Sequence, residues 1–470
     1  MYNADQEVAP SSPSKALLHS SFLVSVRGFF SSYDPLGIKE AMLDIHYIRE
    51  KAETIKAACR NKNLDPSVVD QLLSADVNRR DYQQQVDELR RQSNAQATEI
   101  KAAVQTGKKP QPEQIQAGKA IKQQLQELEP QLKDLESLYN ELMYQIPNVP
   151  ATSVPIGKDE TENKVVRQQG TLPKFDFPVK QHQELMEALD ILDTKRATKI
   201  AGFRGYFLKN QGLLLEQAVL QYAMQLLVEE GFTPMSAPIL VNQVALLGTG
   251  YFPWGAEDHY RTQDDQILAG TAEVALTSYH MDETLTEKDL PIKMVGISPC
   301  FRREIGSYGK DTQGIVRVHQ FNKVEQVVYT VADEAVTENW HEKMLGYAEV
   351  LLNKLELPYQ VLLMCTGDMG AGQRKKYDVE TWFPAQQKYR ETHSASYFND
   401  FQSRRLNIRY KAADGTTKFV YTLNNTMAAT PRLLAAIIEN YQQADGSIAV
   451  PKVLQQLCGF SSIKQKTQAR

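Results

Sequence analysis

Eight apolar residues alternate at spacings of four and three along Ile121, Leu125, Leu128, Leu132, Leu135, Tyr139, Leu142 and Ile146. That rhythm keeps one stripe of a helix apolar for several turns and requires a partner helix to cover it. A partner reads upstream as Tyr82, Val86, Leu89, Ile100 and Val104, with Ser93 and Gln96 falling on the stripe. Between the two, Gly107-Lys108-Lys109-Pro110-Gln111-Pro112 stops one helix and starts another. Two antiparallel helices with a tight tip would project tens of ångströms, at roughly 1.5 Å per residue. Pro130 falls inside the second helix and is expected to kink it, at a cost on the order of 3 kcal/mol. Taken alone, such an arm suits a dimerisation coiled coil as well as a reaching device.

The 470 residues are enough for two or three domains. A net charge of −4 gives no global basic field, so any nucleic-acid surface must be local. On the arm, Lys108, Lys109, Arg79, Arg80, Arg90 and Arg91 fit either a phosphate track or a solvated face. The four cysteines, Cys59, Cys300, Cys365 and Cys458, lie far apart without C-x-x-C spacing, and the histidines show no paired ligand spacing, so no zinc site or disulfide framework is expected. A reducing cytoplasm fits this usage. The apolar stretch Phe22 to Phe30 is too short for a membrane span and is interrupted by Arg27.

Residues 1–41 are punctuated by Ser, Pro and Asn and are expected to be a poorly ordered extension or an upstream misannotated start. A transit peptide is the rival reading, weakened by Asp5, Glu7 and Asp34. A helix is expected from Met42 to about Asn63, and Asp65-Pro66-Ser67 carries the cap and first-turn proline that open the next. The arm would end at Ile146-Pro147-Asn148, and a linker would run to Phe177. Beyond it the pattern predicts helices over 180–201, 213–230 and 432–441. Strand-like runs are Pro238 to Val241, Lys293 to Ile297, Val316 to Phe321, Glu325 to Tyr329, Gln360 to Cys365, Leu406 to Tyr410 and Phe419 to Leu423. Strands clustered between helices without steady alternation favour an antiparallel α+β sheet.

Phe301-Arg302-Arg303-Glu304-Ile305-Gly306-Ser307-Tyr308-Gly309 lies between two of those runs. Arginines at the end of one strand and the start of the next suit a polyphosphate clamp, because the guanidinium fork binds phosphate bidentately and stays charged when partly buried. A surface hairpin with salt bridges has the same composition. Arg432, opening the last helix, would add a second phosphate contact beside backbone N–H groups. There is no P-loop and no Rossmann fingerprint, so a nucleotide would need another architecture.

In order along the chain, Ile146-Pro147-Asn148, Thr271-Ala272-Glu273, Pro299-Cys300-Phe301-Arg302, Lys323-Val324-Glu325, Cys365-Thr366-Gly367-Asp368-Met369-Gly370, Asn407-Ile408-Arg409-Tyr410 and Glu439-Asn440-Tyr441-Gln442 complete a pattern. The second half resembles the class II aminoacyl-tRNA synthetase catalytic domain, and Met42 to about Phe460 resembles a bacterial-type seryl-tRNA synthetase. The resemblance implies a tRNA-binding domain with a coiled-coil arm over 42–150, and a catalytic domain over 151–470 built on an antiparallel sheet with flanking helices. It implies that L-serine and ATP form seryl-adenylate, and that the seryl group then moves to tRNA(Ser), with tRNA(Sec) as a further acceptor. It assigns Arg302 to the α-phosphate and Arg432 to the γ-phosphate. Arg303, Glu304, Val318, Phe321, Thr392 and His393 complete the ATP site, and Glu391 and Ser394 contact ATP and Mg²⁺. Thr271, Ala272, Glu273, Glu325 and Thr426 would hold serine, by paired polar groups that leave alanine's site unsatisfied. Pro238 matches the motif that builds the family's homodimer.

Three departures stand out. Asn424-Asn425-Thr426-Met427-Ala428-Ala429-Thr430-Pro431-Arg432 lacks the glycines that bacterial members carry there and is similar to the glycine-free form of eukaryotic-type members. His393 stands where a serine is usual, as a neutral substitution or a cation in an altered site, and Tyr397 stands where an asparagine is usual. These motivate an alternative: a repurposed paralogue that does not charge tRNA, whether a binding protein or a ligase for another amino acid or carrier.

Overall fold

The computed structural model of the chain describes residues 43–107, 109–305 and 314–465. The extension 1–41, Lys108 and the Gly306 to Gly309 stretch lie outside the described residues. Two compact units emerge: Asp70–Gln145, and the described chain up to Val69 together with Ile146 onward.

The expected first helix is two, α1 (Ile45–Glu50) and α2 (Ala52–Asn61), parted at Lys51, whose φ of −120° leaves the helical range. The arm consists of α3 (Ser67–Gln105) and α4 (Pro112–Tyr144). Asp65 Oδ1 accepts the Ser67 N–H at 2.8 Å and starts α3, and Pro112 opens α4 where a missing N–H costs nothing. Along α4 the seam is the less exposed stripe from Ile121 to Leu142, whereas Ile146 lies beyond the helix end. Along α3 the seam is Tyr82, Val86, Leu89, Ser93, Gln96, Ile100 and Ala103; Val104 is 57% exposed, so the unbroken four-three rhythm selects alanine instead. Cross-helix contacts run antiparallel: Arg79 over the Tyr139 ring at 4.6 Å, Tyr82 Oη to Gln131 at 3.1 Å, Arg90 to Glu129 at 2.8 Å. Pro130 sits inside α4 without ending it. The four arm arginines are all in ion pairs: Arg79 and Arg80 with Asp76, Arg90 with Glu129 and Arg91 with Glu88.

In the second unit the sheet strands are β1 (Lys164–Gln169), β2 (Thr233–Ser236), β3 (Ile292–Phe301), β4 (Gln320–Thr330), β5 (Tyr359–Leu363), β6 (Lys375–Phe383), β7 (Lys388–Asn399) and β8 (Tyr421–Ala429). Their order is β1-β5-β6-β7-β8-β4-β3-β2, antiparallel throughout except for the edge pair β2–β3. Pro234 is tolerated in β2 because an edge strand can spare a donor. Helices α5 (Gln211–Glu229), α6 (Glu273–Thr277), α7 (Glu334–Lys354) and α8 (Arg432–Asn440) flank it, and a large apolar core lies between helices and sheet. The helix expected over 180–201 is broken near Asp190, whose φ is +58°, into His182–Ala188 and Thr194–Ala201. Val316 and Val318 are buried but outside any strand, and β4 begins only at Gln320.

Candidate active site

Two one-residue bulges shape the middle of the sheet. In β7, Glu391 pairs with Glu380 and His393 with Val379, which leaves Thr392 extra; in β8, Thr426 pairs with Glu325 and Ala428 with Val324, which leaves Met427 extra. Bulges re-aim side chains. A cleft of about 230 Å³ opens at these bulges and at the starts of β4 and α8. Its wall carries five cations, Arg302, Arg317, Lys323, Lys376 and Arg432, and four carboxylates, Glu273, Glu304, Glu325 and Glu391.

One end is a buried hydrogen-bonding pocket. Lys323 Nζ pairs with Glu325 at 2.5 Å, both under 10% exposed, and Thr426 Oγ1 donates to Glu325 at 3.2 Å. Tyr251 Oη donates to Glu273 at 2.6 Å and Gln402 donates to its other oxygen at 3.0 Å. Burial, and then the Glu325 charge, push the Glu273 carboxyl upward. Such a pocket suits a small molecule bearing both a cation and a hydroxyl.

The other end is cationic. Arg432 Nη1 donates to the Glu391 carboxylate at 2.9 Å and to its backbone carbonyl at 3.1 Å. Burial would raise the Glu391 carboxyl, but Arg432 and then Lys376 hold it ionised, at about 2. An ionised carboxylate with the hydroxyl of Ser394 two strand positions beyond the bulge is an oxygen donor set suited to Mg²⁺, which is usually held by one or two carboxylates plus substrate phosphates. Arg302 lies 5.3 Å from the Phe321 ring centroid and Arg317 pairs with Glu304 at 2.5 Å, giving an aromatic face with a polar edge between the two ends.

Residues 42–150 match the model of the seryl-tRNA synthetase N-terminal domain, and 257–441 match the class II tRNA synthetase core domain (G, H, P, S and T). A serine–tRNA ligase of Deinococcus radiodurans is 43% identical over 419 residues, covering 89% of this chain and 98% of that one. The chain belongs to the seryl-tRNA synthetase family. The fold agrees: a Pyrococcus horikoshii seryl-tRNA synthetase crystallised with ATP superposes with a TM-score of 0.82 at 38% identity, covering 91% of this chain and all of that one. A cytoplasmic serine–tRNA ligase of Naegleria fowleri in complex with AMP gives 0.78 at 29%, with the same coverage.

Of the residues singled out from sequence, Glu273, Arg302, Glu304, Val318, Phe321, Glu325, Glu391, Thr392, His393, Ser394, Thr426 and Arg432 line the cleft. Three expected site residues do not line it. Thr271 is buried with its Oγ1 accepting the Glu273 N–H at 3.1 Å just ahead of α6, and Ala272 packs beside Gly296. Arg303 is exposed and donates to the Glu257 carbonyl at 2.8 Å. Thr392 turns its hydroxyl into the sheet, 2.7 Å from that of Thr381. Sequence reasoning passed over Tyr251, Lys323, Lys376, Gln373, Ser396 and Asn424, all on the wall. For Lys323, Ser396 and Asn424 the available signal was period two, since each lies two residues from an assigned strand residue.

His393 is 1% exposed, with Nδ1 2.9 Å from Thr392 Oγ1. Burial pushes it down to about 4, so it is neutral at pH 7 and not a cation of the phosphate end. Tyr397 is not on the cleft wall; its ring packs at 5.2 Å on His341 of α7 and its Oη donates to Glu338 at 3.2 Å.

Proposed function

We propose that the chain is a serine–tRNA ligase that activates L-serine with ATP and transfers the seryl group to tRNA(Ser), residues 42–150 serving tRNA recognition and 151–470 catalysis. The observation that carries this is one cleft joining a buried Lys323–Glu325–Thr426 pocket to the Arg302, Lys376 and Arg432 cations. Serine's hydroxyl and ammonium would meet Thr426, Glu325 and Glu273, a polar wall that alanine, lacking the hydroxyl, would match less well. Attack of the serine carboxylate on the α-phosphorus expels pyrophosphate, a displacement that needs alignment and charge neutralisation more than a base. Arg302 holds the α-phosphate and Arg432 the γ-phosphate, and adenine stacks on Phe321 with Glu304 at its edge. Mg²⁺ at Glu391 and Ser394 supplies charge neutralisation of the phosphates when bound. Val318 and His393 shape the wall without charge, and Arg303 reaches ATP only by leaving the Glu257 carbonyl.

The test is serine-dependent ATP–pyrophosphate exchange, with threonine, alanine and cysteine as controls, followed by charging of tRNA(Ser) and tRNA(Sec). Exchange with serine alone and charging of tRNA(Ser) are expected. Exchange without charging would move the reading to the repurposed paralogue.

A homodimer in the cytoplasm completes the proposal. Ile200, Phe203, Phe207, Leu213 and Leu214 are exposed within one short stretch that leads into α5, a cluster that a second copy would cover. Among the described residues no helix is long and apolar enough to cross a membrane. Sedimentation at micromolar concentration is expected to give twice the chain mass, and a monomer would remove the dimer from the proposal.

A further inference from the structure

The chain segments that flank the arm, one just before α3 and one just after α4, converge on a single loop, Gly370 to Arg374. From the first, Lys62 Nζ donates to the carbonyls of Gly370 at 3.1 Å, Ala371 at 2.8 Å and Gln373 at 2.6 Å. From the second, the Asn148 N–H donates to Ala371 O at 2.9 Å and its Nδ2 to Gly372 O at 3.1 Å and Phe398 O at 2.8 Å. The Ala151 N–H donates to Arg374 O at 2.8 Å, and Arg374 Nη1 returns to Val149 O at 3.1 Å. Every residue of the loop is therefore held by one flanking segment or the other.

That loop delivers one side chain to the cleft. Gln373 lines the wall, with Nε2 donating to Ser396 Oγ at 2.9 Å and Oε1 accepting the Gly370 N–H at 2.7 Å. Ser396 stands opposite Asn424 in the β7–β8 register, and Asn424 is two residues from Thr426 on β8, so this is the hydrogen-bonding end. Lys62 is only 5% exposed, and burial lowers its ammonium to about 7. An ammonium taken out of water is costly, and three carbonyls match its three donors without turning it into a net stabiliser of the fold. A residue needed only for packing would be better served by an apolar chain of the same length.

We propose that Lys62 is a positioning residue for the amino-acid end of the cleft, clamping Gly370 to Arg374 so that Gln373 and Ser396 fix the wall beside Asn424 and Thr426. This rests on the reading that serine occupies that end.

The experiment is pyrophosphate exchange at varied serine and varied ATP for the full chain and for Lys62→Met, Lys62→Arg, Gln373→Ala and the Lys62→Met/Gln373→Ala double variant. Lys62→Met is expected to raise KM for serine about tenfold and to leave KM for ATP within about twofold. Lys62→Arg should recover most of the loss, because a guanidinium also donates to several carbonyls, and the double variant should be no worse than the worse single one. An unchanged serine KM, an equal rise in both KM values, or fully additive losses would each overturn the assignment. If Lys62→Met does not fold, Gln373→Ala decides: a serine KM equal to that of the wild type overturns it. Absence of exchange in the wild type would instead defeat the serine reading and this inference with it, whereas wild-type exchange with unaltered variants defeats this inference alone.

Discussion

The arm and the sheet unit bury apolar surface in opposite ways. In the arm beyond its base, one stripe per helix is covered and most other residues face water, so each turn depends on its own pair of seam residues. In the sheet unit, β4 and β8 are buried along most of their length and β7 from Thr392 to Phe398 apart from Ser394. One stretch of them turns polar residues toward a cleft instead of toward solvent. The contrast separates a part whose stability is local and graded from a part whose chemistry requires many strands at once.

The largest effect belongs to the sheet unit. Replacing Arg302 by alanine removes a guanidinium that lies against Phe321 and donates to the Gly270 carbonyl at 3.3 Å. Serine-dependent exchange should fall by about 10²- to 10³-fold, the usual cost of one electrostatic contact to a developing charge. Circular dichroism and the melting temperature should hardly change. Retention of exchange within about threefold would mean that Arg317, Lys376 and Arg432 suffice and that the phosphate end is redundant.

Next comes the arm. If the arm serves tRNA recognition as proposed, replacing Tyr82 to Leu138 by a short turn should leave exchange within about threefold and lower tRNA charging by about a hundredfold or more. Equal loss of both activities would make the two regions one energetic unit.

These regions also differed in how much of them could be read beforehand. The arm was legible because a helix that buries a single stripe writes period 3.5 into its sequence; the one misplaced residue, Val104 for Ala103, arose where the apolar signal thins toward the tip. The hairpin β6–β7 escaped notice because Lys388-Tyr389-Arg390-Glu391-Thr392-His393-Ser394 looks like a loop: Thr392 and His393 are buried at a bulge although polar, and Glu391 and Ser394 face a cleft. At the site, the resemblance named residues that line the cleft, such as Arg302, Glu325 and Arg432, but also Thr271, Ala272 and Arg303, which do not, and it left out Lys323 and Lys376. Loop Gly370 to Arg374 shows the limit. The motif recognised from sequence, Cys365 to Gly370, ends at the loop's first residue, and the loop's grip on Lys62 spans some three hundred residues and leaves no periodic trace.

A smaller effect concerns acid. His341 and His393 are buried neutral in the sheet unit, both pushed down to about 4 by burial, and Asp70–Gln145 contains no histidine. A histidine whose folded value lies below its unfolded value near 6.5 contributes stability above 6.5 and loses it as pH falls toward 4. In His393→Ser the fall in stability of the sheet unit between those limits should be shallower than in the wild type by up to about 3 kcal/mol. Asp378, raised to about 7 by burial against the pull of Lys376, works in the opposite direction but is present in both proteins. Thermal melts monitored across pH 4 to 7 give the two slopes. Equal slopes would mean that His393 is already protonated above pH 6 and is a cation of the phosphate end.

The smallest effect tests the graded nature of the arm. Near its root the seam is Val86, Leu89, Leu132 and Leu135; toward the tip Ser93, Gln96, Ala103 and Gly118 stand among the apolar Ile100, Ile121, Leu125 and Leu128. A methyl group added at Gly118 would meet only the amide oxygen of Gln96, at 3.2 Å, the movable end of a flexible side chain. Glycine inside a helix costs up to about 1 kcal/mol relative to alanine, so Gly118→Ala should stabilise the distal arm by roughly 0.5–1 kcal/mol. Amide exchange should slow in the tip half of α4 and remain unchanged in β4, β7 and β8, because local opening there involves only local contacts. Faster exchange at the tip would show that Gln96 cannot move aside and that the tip is packed as firmly as the root. Slower exchange in the sheet as well would show that the arm and the cleft open together, which a seam of independent turns does not allow.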